Sequence, residues 1–185
     1  MPRPISQRLI AFLRAINVGG HTVTMTRLRE EFEALGLKDV ETFIASGNVI
    51  FTARQADTAA LEKKIETHLH KALGYEVATF VRTCDEVAAI AGYQAFPAAH
   101  IDKDATVYVG FVERPLEAAD ARAVLTFKTE FDDFRVKGRE VYWLRKTRQT
   151  ESPFKYVSLE KKLKIRCTFR GINTVARLAA KHGPS

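Results

Sequence analysis

The chain has 185 residues, 46% of them apolar, and a net charge of +7, enough to form one ordinary domain or two small lobes without covalent staples. Its two cysteines, Cys84 and Cys167, lie far apart with no zinc-ligand spacing around either, which excludes a disulfide scaffold or zinc finger and suits free thiols in a reducing compartment. The apolar stretch Leu9 to Leu13 is cut by Arg14, and no run approaches the roughly 20 apolar residues of a membrane span, so no signal peptide and no membrane association are expected, and the expected location is cytoplasmic.

Leu9 to Leu13 reads as a strand buried on both faces. A loop, Asn17-Val18-Gly19-Gly20-His21, separates it from Met25, Leu28, Phe32 and Leu35, whose spacing predicts a helix with Thr24 or Thr26 as N-cap and Gly36 as its stop. Val40 to Ala45 and Asn48 to Thr52 read as strands joined through Ser46-Gly47. Asp57 caps a long helix that carries Leu61, Ile65, Leu69 and Leu73 at four-residue spacing and closes at Gly74, with a strand from Glu76 to Arg82 after it. The order is β-α-β-β-α-β.

The second half repeats that order without repeating the sequence. A Thr83 to Glu86 capping box opens a short helix, and Ala105 to Val112 reads as a strand. Pro115 suits the first turn of a helix bearing Leu116, Ala119, Ala123 and Phe127. Phe131 to Val136 and Arg139 to Leu144 form a hairpin about Lys137-Gly138, and Ser152-Pro153 opens a helix with Tyr156, Leu159 and Leu163. A short extended piece, Arg166 to Phe169, leads into a last helix carrying Val175 and Leu178. The economical fold is α+β: two ferredoxin-like (split β-α-β) lobes, residues 1–82 and 83–185, with an added C-terminal helix and no low-complexity linker.

Three stretches carry a family resemblance. They are Ile10-Ala11-Phe12-Leu13-Arg14-Ala15-Ile16-Asn17-Val18-Gly19-Gly20, Thr42-Phe43-Ile44-Ala45-Ser46-Gly47-Asn48-Val49-Ile50-Phe51, and Glu160-Lys161-Lys162-Leu163 through Arg170 to Asn173-Thr174-Val175. Together they resemble the bacterial family called domain of unknown function 1697. The resemblance implies two ferredoxin-like lobes and no established activity, cofactor or catalytic residue. Members usually carry Asn-Trp where this chain has Gly171-Ile172.

In a split β-α-β lobe the first two strands run parallel with the third between them, so the loop after strand one and the turn after strand two share an edge. That places Arg14, Asn17, Gly19 and Gly20 beside Ser46, Gly47 and Asn48, next to the N-terminus of the first helix. Glycine amides, a guanidinium and a helix N-terminus together can hold an anion. The motif is neither a P-loop nor G-x-G-x-x-G. The glycines and asparagines equally suit tight turns and local backbone hydrogen bonds. Arg170 with Asn173 forms a second expected anion seat, with Asn173 placed to cap the last helix.

From Arg135 to Ser185 fourteen Lys and Arg face three acids, a net of +11, while the remainder nets −4. That asymmetry points to an anionic partner: a phosphate-bearing small molecule first, nucleic acid as the alternative, with Arg145, Lys146 and Arg148 as a basic segment. Val107-Tyr108-Val109-Gly110 has the look of an RNA-recognition strand, yet Arg139 and Val141 stand where its companion strand needs aromatics. His68 and His70 diverge on a helix, and the pairs Asp102/Asp104 and Asp132/Asp133 lack a third ligand, so neither metal nor cofactor is expected. An enzyme acting on a phosphorylated substrate is the further alternative. His21 is the one histidine near the proposed edge.

Overall fold

A computed structural model describes residues 6–44, 47–54, 57–146 and 152–183. β1 (Ser6–Leu13) leads into α1 (Met25–Ala34), whose N-cap is Thr24: its Oγ1 accepts from Arg27 N at 3.1 Å. β2 (Lys38–Phe43) and β3 (Asn48–Arg54) precede α2 (Thr58–Leu73). Asp57 caps α2 by accepting from Ala59 N at 3.0 Å, and Gly74, left-handed at φ 82°, closes it. β4 (Thr79–Thr83) runs directly into α3 (Cys84–Gly92), where Thr83 N donates to Glu86 and Glu86 N donates back to Thr83 Oγ1, the reciprocal capping box.

After a short 3-10 turn (Ala98–His100) the order recurs: β5 (Thr106–Val112), α4 (Ala118–Leu125), β6 (Asp132–Lys137), β7 (Glu140–Arg145), α5 (Tyr156–Leu163), β8 (Cys167–Gly171) and α6 (Ile172–His182). Several boundaries differ from expectation, and three of the shifts have a visible cause. α4 begins at Ala118, beyond Pro115, because Asp120 accepts from Glu117 N and from Arg114 and so sets the cap there. α5 begins at Tyr156 because Ser152 spends its hydroxyl on Asp132 at 2.7 Å and on Phe154 N. Ladder pairing of β4 begins at Thr79, opposite Leu13, so Glu76 to Ala78 lie outside the strand.

Each sheet has four strands, ordered β2-β3-β1-β4 and β6-β7-β5-β8, with neighbouring strands antiparallel. This is the order of a split β-α-β lobe, built twice, and the fold is α+β as the pattern predicts. Each lobe carries a further helix after its last strand, α3 as well as α6.

Period-two alternation sorts the sheet residues. In the first sheet Leu9, Ala11, Leu13, Val49, Phe51 and Val81 face α1 and α2 and pack with Leu28, Phe32, Leu61, Ile65 and Leu69. Full burial of each such side chain contributes about 1.5–3 kcal/mol. Ile10, Phe12, Ile50 and Phe80, on the other face, are fully buried too. In the second sheet Phe134, Val141, Trp143 and Phe169 join Phe154, Leu159 and Leu163 in the helix-side core.

The chain divides into two units, one running to Ala88 and taking up Leu178 onward, the other spanning Ala89–Arg177. Strand register aligns them: Ile10 lies opposite Arg82 in one, Val109 opposite Arg170 in the other. Counted from those pairs, Arg82-Thr83-Cys84-Asp85-Glu86-Val87-Ala88 matches Arg170-Gly171-Ile172-Asn173-Thr174-Val175-Ala176. The internal repeat therefore extends to sequence. Among the described residues no helix is long and apolar enough to cross a membrane.

Candidate functional site

The loop after β1 and the turn after β2 meet at one end of the first sheet. Leu13 N donates to Gly47 O at 2.8 Å, and Arg14 N donates to Ala78 O at 2.9 Å. Gly47 cannot be replaced without a clash: it is left-handed at φ 79°, and a Cβ there would sit 2.9 Å from Ile16 Cγ2 and 3.1 Å from Leu13 Cβ. Ser46 lies outside the described residues.

The two asparagines shape this edge. Asn17, itself exposed, accepts from Val23 N through Oδ1 at 2.8 Å and so closes the loop ahead of α1. Asn48 is completely buried, and its Nδ2 donates to Phe43 O at 2.9 Å across the turn. His21 stacks on Tyr75 with centroids 3.8 Å apart, and the Tyr75 hydroxyl donates to Ile16 O at 3.3 Å. Burial raises the Tyr75 phenol above its ordinary value, so the hydroxyl stays a donor.

Left-handed backbone concentrates here. Ala15 (φ 58°) and Ile44 (φ 60°) join Gly19 (64°), Gly20 (85°) and Gly47 (79°). A non-glycine residue in that region costs about 1–2 kcal/mol, and a β-branched one such as Ile44 is a genuine outlier. Ile44 is 44% exposed, so no burial of its own offsets the cost. Gly19 and Gly20 are exposed, with nothing within 4 Å of where a Cβ would stand. Arg14 is half-buried.

Arg170 and Asn173 belong to the other unit. Arg170 is buried: its Nη1 donates to Thr168 Oγ1 at 2.9 Å and to Phe169 O at 3.0 Å, and burial lowers its pKa to about 10, which leaves it cationic at neutral pH. Asn173 is exposed within the first turn of α6, which begins at Ile172, one residue ahead of the expected cap. The structure does not bring these two together as an anion seat, since one is spent inside the sheet and the other stands in solvent.

Asn173 lines instead a cavity of about 320 Å³ in the second unit, walled by Tyr93, Phe96 and Val107 with Gln94, Thr106 and Gly171. The first unit holds a cavity of about 290 Å³ at the matching place, lined by Arg8, Cys84, Asp85 and His182 among others. Neither was visible in the linear pattern, because each joins the start of a first strand to the end of a fourth. The repeated Arg-x-x-(Asp/Asn)-x-Val-Ala at Arg82 and Arg170 is the signal that marks both.

Other candidates resolve as structure. His68 Nε2 and Glu31 Oε2 are 2.7 Å apart, Asp102 accepts from Asp104 N and Ala105 N, and buried Asp132 accepts from Trp143 Nε1 and Ser152 at 2.7 Å each. Among the described residues no three His, Cys, Asp or Glu could share a metal. In the basic third, Arg135 pairs with Asp133, Arg166 with Glu113 and Lys181 with Glu41. Arg148 lies outside the described residues. Tyr108 stacks on Trp143 at 4.7 Å on the helix side of its sheet, away from the face an RNA-recognition module presents.

The family described as "Protein of unknown function (DUF1697)" matches residues 7–142, most of the chain. The chain belongs to this family. The DUF1697 fold is shared with a conserved bacterial protein, SP0830 from Streptococcus pneumoniae, at 23% identity and a TM-score of 0.71, over 95% of this chain and 98% of that one. A comparison with curated proteins found no match.

Proposed function

We propose that this DUF1697 protein binds a small phosphate-bearing anion at the edge formed by the loop after β1 and the turn after β2. The observation that carries this reading is the cluster of left-handed residues there, including the non-glycine residues Ala15 and Ile44. Strain of this kind persists where a backbone must present particular groups, and successive amides near left-handed residues form concavities that suit anions. The exposed amides of Gly19 and Gly20 and the guanidinium of Arg14 are the donors. Asn17 and Asn48 are the frame, each holding one arm of the edge through a backbone hydrogen bond.

Calorimetry with inorganic phosphate and pyrophosphate tests the reading. Pyrophosphate should bind, its affinity should fall as salt rises, and Arg14→Gln should weaken it at least about tenfold, the loss expected for one charge-assisted hydrogen bond. Absence of binding at millimolar pyrophosphate, or an affinity indifferent to Arg14→Gln, would count against the site.

A further inference from the structure

We propose that the cavity of the second unit is a separate ligand site, for a small uncharged planar heterocycle of the nucleobase kind. Its volume, about 320 Å³, falls at the lower end of the range for small-molecule sites, which suits one ring system and not a dinucleotide. Tyr93, Phe96 and Val107 supply aromatic and apolar lining. Tyr93 is held by Lys137 Nζ at 4.0 Å from its ring centre and by Tyr142 at 5.0 Å, and Phe96 by Arg135 at 5.5 Å. The aromatic walls are thus fixed before any ligand arrives.

The polar rim is Gln94, Thr106 and Asn173. Carboxamides and a hydroxyl are the side chains that read the mixed donor and acceptor edge of a base, and none of them attracts a net charge. Among the described residues none of these three side chains is engaged in a hydrogen bond, so the rim is available to a ligand. The walls and rim include no Lys, Arg, Asp, Glu or His, which disfavours a phosphate or carboxylate here.

The first unit supplies an internal comparison. Counting from the aligned strands, Val107 corresponds to Arg8, Ile172 to Cys84, Asn173 to Asp85, Gln94 to His182 and Tyr93 to Lys181. Every replacement is from neutral or apolar to ionisable. The Arg8 guanidinium spans the sheet to Glu41 and to Asp39 O, which fixes charge where the second unit has an apolar wall. One architecture thus carries two chemistries, and the uncharged one suits an uncharged ring.

The test is an amide-resolved NMR titration of the whole chain with uracil, hypoxanthine and adenine, and with benzoate as a charged ring of similar size. At least one base should move the resonances of Thr106, Gly171 and Asn173 while leaving Gln7, Thr83 and Asp85 in place. Asn173→Leu should weaken that base at least tenfold, and Val107→Arg, which imports the first unit's residue, should abolish binding. Should Val107→Arg not fold, exposed Asn173→Leu alone decides. No response to any base at millimolar concentration, benzoate binding as well as the bases, or an affinity unchanged by Asn173→Leu would each overturn the proposal. Pyrophosphate added to the same sample moves the β1 loop or fails to, so the two sites stand or fall separately.

Discussion

Asn48 shows how a buried polar side chain divides structural from functional roles. Its amide donates to Phe43 O with no exposure to water, so removing it deletes a buried hydrogen bond across the turn. Asn48→Ala is expected to cost about 1–3 kcal/mol, read as a lowered midpoint in urea unfolding, and to weaken pyrophosphate only as the loop loosens. Ile44 should respond in the opposite sense. Ile44→Gly removes the left-handed cost at a half-exposed site and should raise stability by up to about 1 kcal/mol; an unchanged or lowered midpoint would show that the turn is not strained in solution. Asp133 predicts the acid limb. Burial opposes its ionisation, but Phe134 N at 2.8 Å, Arg135 and Lys128 outweigh it, and the carboxyl titrates below its ordinary 3.8. Because the folded value lies beneath the unfolded one, the stabilisation is complete above pH 4 and fades as pH falls through the folded value. Asp133→Asn should therefore flatten the loss of stability in that window, measured by urea unfolding from pH 5 to 2.

At the scale of elements, β4 is an edge strand whose outward amides are all occupied by carboxylates. Thr79 N donates to Glu66 at 2.9 Å, Val81 N to Glu62 at 2.7 Å and Thr83 N to Glu86 at 2.8 Å. In the second unit Cys167 N donates to Glu160 at 2.9 Å, the same device at the equivalent strand. Acids from the packed helix thus close an edge that could otherwise recruit a foreign strand. Glu62 also faces Arg82 at 3.8 Å, with both side chains buried. Glu62→Ala removes one partner of a buried pair and bares Val81 N, and should cost about 3–5 kcal/mol. Urea unfolding measures the cost, and light scattering should show self-association that Glu86→Ala, at the exposed end of the strand, does not cause to the same degree.

At the scale of the whole molecule, what was legible in the chain was what depends on local chemistry. Apolar runs and turn residues identified the strands, Thr24, Asp57 and Gly74 marked helix ends, and Gly47 marked the turn ahead of β3. Split β-α-β topology follows from that order because few other connections are unknotted and right-handed. One misplaced boundary, the start of α5, reflects a side chain drawn to a long-range partner, Ser152 to Asp132. Arg170 read as half of an anion seat because no local pattern announces a buried guanidinium. Thr168 and Phe169 of its own strand accept from it, and its burial comes from the fold. The two cavities escaped notice for the same reason: each is assembled from residues that register, not sequence proximity, brings together. The loop after β1 was legible because its function, as proposed, rests on glycine and on topology, both of which the chain displays openly.

The central claim, that this edge is an anion site framed by Asn17 and Asn48, is tested most directly by following backbone amides during a pyrophosphate titration. The account predicts progressive shifts confined to Ala15 through His21 and Gly47, saturating together and reversed by salt. Uniform small shifts scattered over the basic third, with the Gly19 and Gly20 amides unmoved, would contradict it.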